Sequence, residues 1–263
     1  MKKIINLVLI VLMIFASVGN VYASEDLKVE HLKFEEKLKA HQDLIESGVI
    51  ESIDKEILDY YEKNEKSIIT SDDFSNLSFE EREALTNEIE LSMLASTKAH
   101  GSNTMSWSAF ENGDIVLVHD GSVFYGYFRH GGTYNEETDS CISAQMSNQG
   151  YGKGVIYEPK TWYNTQYDVA AGYATYNNNS TTRANVMAFL EDQVGEKYSL
   201  TSGYYTWDKW SCVKLPWVGW YEKANINIAV DVSTLKPLRK IDGICFPDSI
   251  DKSPDTFRFS YGS

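Results

Sequence analysis

Trp210-Ser211-Cys212-Val213-Lys214-Leu215-Pro216-Trp217 and, about eighty residues upstream, Phe128-Arg129-His130-Gly131-Gly132-Thr133-Tyr134 are the two stretches on which the reading of this chain turns. A thiol at the head of an apolar, helix-like segment is a candidate nucleophile. A histidine beside a glycine pair is a candidate base. The reactive form of cysteine is the thiolate, which needs a neighbouring imidazolium, a helix N-terminus or both to form near neutral pH. Ser211 is placed to cap a helix beginning at Cys212, which would set the sulfur beside unpaired N–H groups and the positive end of the helix dipole. The same N–H groups would suit an oxyanion on an attacked carbonyl. Pro216 has no N–H to give, so a helix through it must kink or begin later than Ser211. Read singly, each residue also has an ordinary explanation: Cys212 as a small buried side chain between two tryptophans, His130 as a core or surface histidine.

Working outward, Ile115-Val116-Leu117-Val118 reads as a short buried strand after the turn Asn112-Gly113-Asp114. Cys141 to Gln145 is a second strand, with Cys141, Ser143 and Gln145 on one face by period-two alternation. Gly154 to Tyr157 reads as a third strand and Ile226 to Val232 as a further one. Asn177-Asn178-Asn179-Ser180 is a loop, after which Thr181 or Thr182 caps a helix through Met187, Phe189 and Leu190, ending near Gly195. Strands of antiparallel type mixed with a few helices imply an α+β domain over residues 101–263.

Composition breaks near His100. All six tryptophans lie beyond it. Residues 24–100 contain no proline or tryptophan and read as a helical leader. Leu27, His31, Phe34, Leu38, Leu44 and Ile45 make one stripe; Ile50, Ile53, Ile57, Leu58 and Tyr61 make a second. Ser78-Phe79-Glu80-Glu81 has the capping-box pattern and opens a third helix carrying Leu85, Ile89 and Met93. The leader reads either as a pro-segment, inhibitory cover or binding module, or as a structural appendage. Residues 1–23 read as a secretory signal peptide: Lys2 and Lys3, an apolar run from Ile4 to Ala16, then Val21-Tyr22-Ala23 before a cut at Ser24. The expected location is therefore secreted, extracellular or in the cell envelope, with no stable membrane insertion once the signal is removed.

The chain is acidic, with a formal charge of −14. Residues 24–100 hold 20 acids against 9 Lys or Arg. That balance argues against nucleic acid, whose binding rests on cations at phosphates, and against electrostatic docking to anionic lipid. Three cysteines leave two arrangements open: Cys141 paired with Cys245 and Cys212 free, or three free thiols. His31, His41, His100 and His119 show no spacing that suggests a metal site, and Glu136, Glu137 and Asp139 read as a solvated turn. No metal or cofactor is expected.

Four segments, taken in order, resemble the YiiX/YaeF group of circularly permuted papain-like hydrolases, relatives of the NlpC-type amidases. They are Gly113-Asp114-Ile115-Val116, His130-Gly131-Gly132-Thr133-Tyr134, Gly195-Glu196-Lys197-Tyr198 and Ser211-Cys212-Val213-Lys214-Leu215-Pro216-Trp217. The tail Phe246-Pro247-Asp248-Ser249-Ile250, with Ser253-Pro254, is similar too. The likeness covers about residues 104–263 and nothing of the leader. It implies a permuted papain-like domain in which Cys212 is the nucleophile and His130 the base. The group often carries a glutamate on the strand after the histidine; at that distance this chain has Gln145, which would orient the ring by a neutral hydrogen bond. Pro216 and the lacking carboxylate are departures from the pattern.

The expected function is a secreted cysteine amidase or peptidase. Its partner would be a peptide or lipid-linked amide, with cell-wall peptides one substrate class. The alternatives are a papain-like domain without turnover that acts as an extracellular binding protein, and a hydrolase of lipid amides or esters.

Overall fold

The turn at Asn112-Gly113-Asp114 delivers the chain into β1 (Ile115–His119), and this strand organises the rest. A computed structural model of the protein describes residues 25–64, 77–78, 80–82, 84–88, 101–121, 125–146, 152–200, 202–204, 206–230 and 244–263. The segment read as a signal peptide, and the positions Ile89, Met93, His100 and Val232, lie outside them. Two helices come first, α1 (Glu25–Glu46) and α2 (Val49–Asn64). After β1 follow β2 (His130–Asn135), β3 (Ser140–Gln145), β4 (Gly154–Pro159), the short helix α3 (Lys160–Thr165) and β5 (Val169–Thr175). Then come α4 (Ser180–Asp192), the two-residue strands β6 (Lys197–Tyr198) and β7 (Lys209–Trp210), α5 (Lys214–Ala224), α6 (Pro247–Asp251) and β8 (Thr256–Gly262).

The fold is α+β. Its centre is a six-stranded sheet in the order β4-β3-β2-β1-β5-β8, antiparallel throughout. β1 is the most enclosed strand: Ile115 to Val118 are all fully buried. Ile115 faces Thr133 and Tyr173, and Leu117 faces Gly131 and Ala171, so these residues line one face with period two. That face packs against α4 and α5 through Val186, Leu190, Leu215, Trp217 and Val218, members of one buried cluster.

The two compact units run from Met1 to Glu35 and from Glu36 to Ser263. Within the larger unit, Ile53 and Ile57 of α2 belong to the same buried cluster as the sheet, while Leu58 of the same stripe is exposed. Lys37 is buried and its ammonium meets Glu111 at 2.7 Å and Asp114 at 2.6 Å. Residues 36–64 are therefore part of the packing around β1. The expected capping box is present: Ser78 N–H donates to Glu81 Oε2 at 2.8 Å, and Glu81 N–H to Ser78 Oγ at 3.3 Å. Among the described residues no helix is long and apolar enough to cross a membrane.

Two local expectations need correction. The strand expected from Ile226 is irregular chain as far as Val230. Asn225 adopts the left-handed conformation that ends α5, and Ile226 N–H closes back on Trp220 O. Asn227 then takes the Trp217 indole N–H at 2.9 Å and the Ala229 N–H at 3.4 Å, so this stretch serves as a helix stop. Its alternation comes from Ile228 and Ala229 being buried in the core without a ladder. The cap of α4 is Asn179, whose side chain accepts Thr182 N–H at 2.8 Å, not Thr181 or Thr182.

Candidate functional site

β2 begins at His130, and the glycine pair that follows explains how other groups reach it. A Cβ on Gly131 would sit 2.8 Å from Leu117 Cδ2 and 3.0 Å from Val213 Cγ1. The bare backbone at Gly131 lets Val213 pack against β2, which brings its neighbour Cys212 to the histidine. A Cβ on Gly132 would collide with the Tyr163 hydroxyl, so Gly132 clears the path by which that hydroxyl enters the sheet face.

Cys212 lies two residues ahead of α5, whose N-cap is Val213. Ser211 reaches in as the sequence suggests, its Oγ accepting Lys214 N–H at 3.3 Å, but the helix starts later than Cys212. That start reconciles Pro216 with the helix. Pro216 is the third helical residue, within the first turn, where backbone N–H groups lack intrahelical partners in any case. Cys212 is buried, and its thiol is among the groups that act on the His130 imidazole.

The other side of the imidazole is crowded. His130 Nε2 lies 3.2 Å from Glu158 Oε2, 3.2 Å from Ser143 Oγ and 3.3 Å from Gln145 Nε2. Glu158 is fully buried on β4, opposite Cys141 of β3. It also accepts the Tyr163 hydroxyl and the Gln145 amide N–H. Ser143 donates to Gly131 O at 2.7 Å. Tyr163 and Tyr167 stack roughly parallel to the imidazole at centroid distances of 5.9 and 6.3 Å, and Trp162 meets it edge-on at 6.0 Å.

The electrostatics follow from this shell. Burial alone would push the His130 imidazole down; the Glu158 carboxylate and the Cys212 hydrogen bond outweigh it and raise the pKa from 6.5 to about 10. The raised pKa favours the imidazolium, which can donate from Nε2 to Glu158.

The structure therefore gathers Cys212, His130 and Gln145 in one place. Gln145 stands beside the ring, its amide nitrogen 3.3 Å from His130 Nε2, and it also donates to Glu158. The carboxylate that the sequence lacked on β3 is supplied by the next strand. Glu158, the carboxylate alternative to Gln145 for holding the ring, directly follows the strand read from Gly154 to Tyr157. The alternation Gly154, Ile156, Glu158 was the available signal. Among the remaining expectations, all three cysteines are free thiols. His41 Nδ1 bonds Arg258 O at 2.7 Å and His119 Nδ1 bonds Tyr127 O at 2.5 Å, both structural contacts. Asp139 lies in a turn, against the Tyr134 hydroxyl at 2.7 Å and Lys160 at 2.5 Å. Among the described residues no group of three or more His, Cys, Asp or Glu is arranged to hold a metal ion.

No family model matches the chain, and no curated protein matches it. Among solved structures, the metalloprotein YiiX of Escherichia coli O157:H7 aligns with a TM-score of 0.44 and 11% identity, over 56% of this chain and 95% of that one.

Proposed function

We propose that this protein is a cysteine hydrolase of amide bonds in which Cys212 attacks, His130 moves the proton and Glu158 holds the ring. The observation that carries this reading is the burial of Cys212, His130 and Glu158 together, with the Glu158 carboxylate 3.2 Å from His130 Nε2. An imidazolium against a thiol favours the thiolate that attacks a carbonyl. The tetrahedral intermediate collapses as His130 hands its proton to the leaving amine, and a thioester remains on Cys212. Water then attacks, His130 takes its proton, and the thiolate leaves as the carboxylic acid forms. Base, carboxylate and nucleophile follow one another along the chain as in a permuted papain-like arrangement. An exported chain would meet peptide amides of the cell wall, and these are the proposed substrate class.

Iodoacetamide tests the thiol. The expected result is alkylation of Cys212 at pH 7 that is at least about 10-fold faster in the wild-type protein than in His130→Ala. Identical rates for the two proteins would remove the hydrolase reading.

A further inference from the structure

The chain just ahead of β2 is held by a residue far beyond it in sequence. Asp248, the second residue of α6, is buried, and its carboxylate accepts three hydrogen bonds. Oδ2 takes Tyr127 N–H at 2.8 Å and the Tyr61 hydroxyl at 2.7 Å; Oδ1 takes Phe128 N–H at 2.8 Å. Arg129 N–H goes to Val118 O of β1 at 2.8 Å, and His130 comes next. Every N–H from 127 to 129 is thus committed, two of them to one side chain. Gly126 permits the approach: its φ is +147°, and a Cβ there would lie 2.7 Å from Asp248 Cγ. The third donor comes from α2, so a helix of the N-terminal leader reaches the backbone beneath the histidine through a single carboxylate.

The His130 ring sits 3.2 Å from Glu158, and a contact of that kind weakens steeply when its geometry slips. We propose that Asp248 is a positioning residue for His130 and that α2 serves the site through it: Tyr61 holds the carboxylate, and the carboxylate holds the backbone that carries the imidazole. The leader on this account assists the site instead of covering it. This inference rests on the hydrolase reading. The clasp needs the ionised carboxylate, because a proton on either oxygen would compete with the donors aimed there. Burial pushes that carboxyl up to about 6 against the pull of its three donors, and Asp251 on the same helix adds to the rise. Tyr125 also feels its charge, and Lys252 lies 3.4 Å from the Tyr61 hydroxyl.

Two readouts separate positioning from plain stability: the Tyr127 and Phe128 amide resonances followed against pH, and iodoacetamide alkylation of Cys212 at pH 7. In the wild-type protein the two amides should titrate together near pH 6. In Asp248→Asn that titration should vanish and alkylation should slow about 10-fold, towards the rate of His130→Ala. Tyr61→Phe removes one hydroxyl remote from the thiol. There the amide midpoint should move to higher pH, since the lost bond favoured the charged form, and alkylation should slow by less than in Asp248→Asn. A lower melting temperature with the wild-type alkylation rate at room temperature would mark a structural clasp and overturn the positioning role. If Asp248→Asn fails to fold, Tyr61→Phe decides alone: an unchanged midpoint and rate would overturn the proposal. Wild-type alkylation no faster than that of His130→Ala would take down the hydrolase reading itself, and the inference with it.

Discussion

Glu158 governs the chemistry of His130 more than any residue on the histidine's own strand. Its charge favours the imidazolium, so removing that charge must lower the His130 pKa from about 10 towards the ordinary 6.5. The activity of a thiolate–imidazolium pair is lost when the imidazolium loses its proton. In the wild-type protein the alkaline limb of the pH–rate profile should therefore fall near 10, and in Glu158→Gln it should move to lower pH. A limb that stays in place would show that Glu158 does not set the ring's charge. Little of this control was legible in the sequence. The thiol and imidazole could be found because local chemistry marks them: a cappable helix start and a glycine pair. Glu158 acts across β3, and strand alternation says which residues share a face but not which strands lie side by side.

At the scale of elements, β3 was readable because its alternation coincides with its ladder: Cys141, Ser143 and Gln145 all share the face of His130. The stretch after α5 shows the same alternation and is no strand, because Asn225 and Asn227 use its backbone to stop the helix. Periodicity reports burial, and burial arises with or without a ladder. The most consequential tie between elements is the one from α1 to the turn before β1. Lys37 ion-pairs with both Glu111 and Asp114 where all three are buried, and Arg183 adds a second cation 3.4 Å from Glu111. Burial raises Asp114 to about 6 even with the ammonium present, so without it the carboxylates face a larger desolvation cost. Lys37→Met should destabilise the protein by about 3–5 kcal/mol, the range for breaking a buried ion pair by removing one partner. Urea denaturation followed by tryptophan fluorescence would measure it, and a change under about 1 kcal/mol would mean the pair contributes little.

For the whole molecule, the composition break near residue 100 marks a change of secondary structure rather than an independent piece. Ile53 and Ile57 are buried in the cluster that also holds the strands and α5. Arg258 of β8 joins Asp251 and, at 3.5 Å, Asp54 of α2. A chain beginning at residue 36 should keep a cooperative thermal transition. A chain beginning at Gly101 should lose it and bind a dye that reports exposed apolar surface, because the sheet would be left without its α2 contacts. A cooperative melt in the shorter chain would show that residues 36–64 are dispensable to the fold. It would also reopen the reading of the leader as a removable cover.

Asp248 gives the site a schedule as well as a shape. Its carboxylate accepts the N–H groups of Tyr127 and Phe128, each at 2.8 Å, immediately before His130, and the Tyr61 hydroxyl at 2.7 Å. The first two bonds span 121 and 120 positions of the chain. Contacts of such long range form late in folding, after the entropy of closing the loop has been met. A nascent polypeptide that has emerged only as far as Cys212 thus holds the thiol and the imidazole but not the clasp that sets the histidine. On the proposed hydrolase reading, the site would become competent only once the segment carrying Asp248 has been added and has closed onto the backbone ahead of His130.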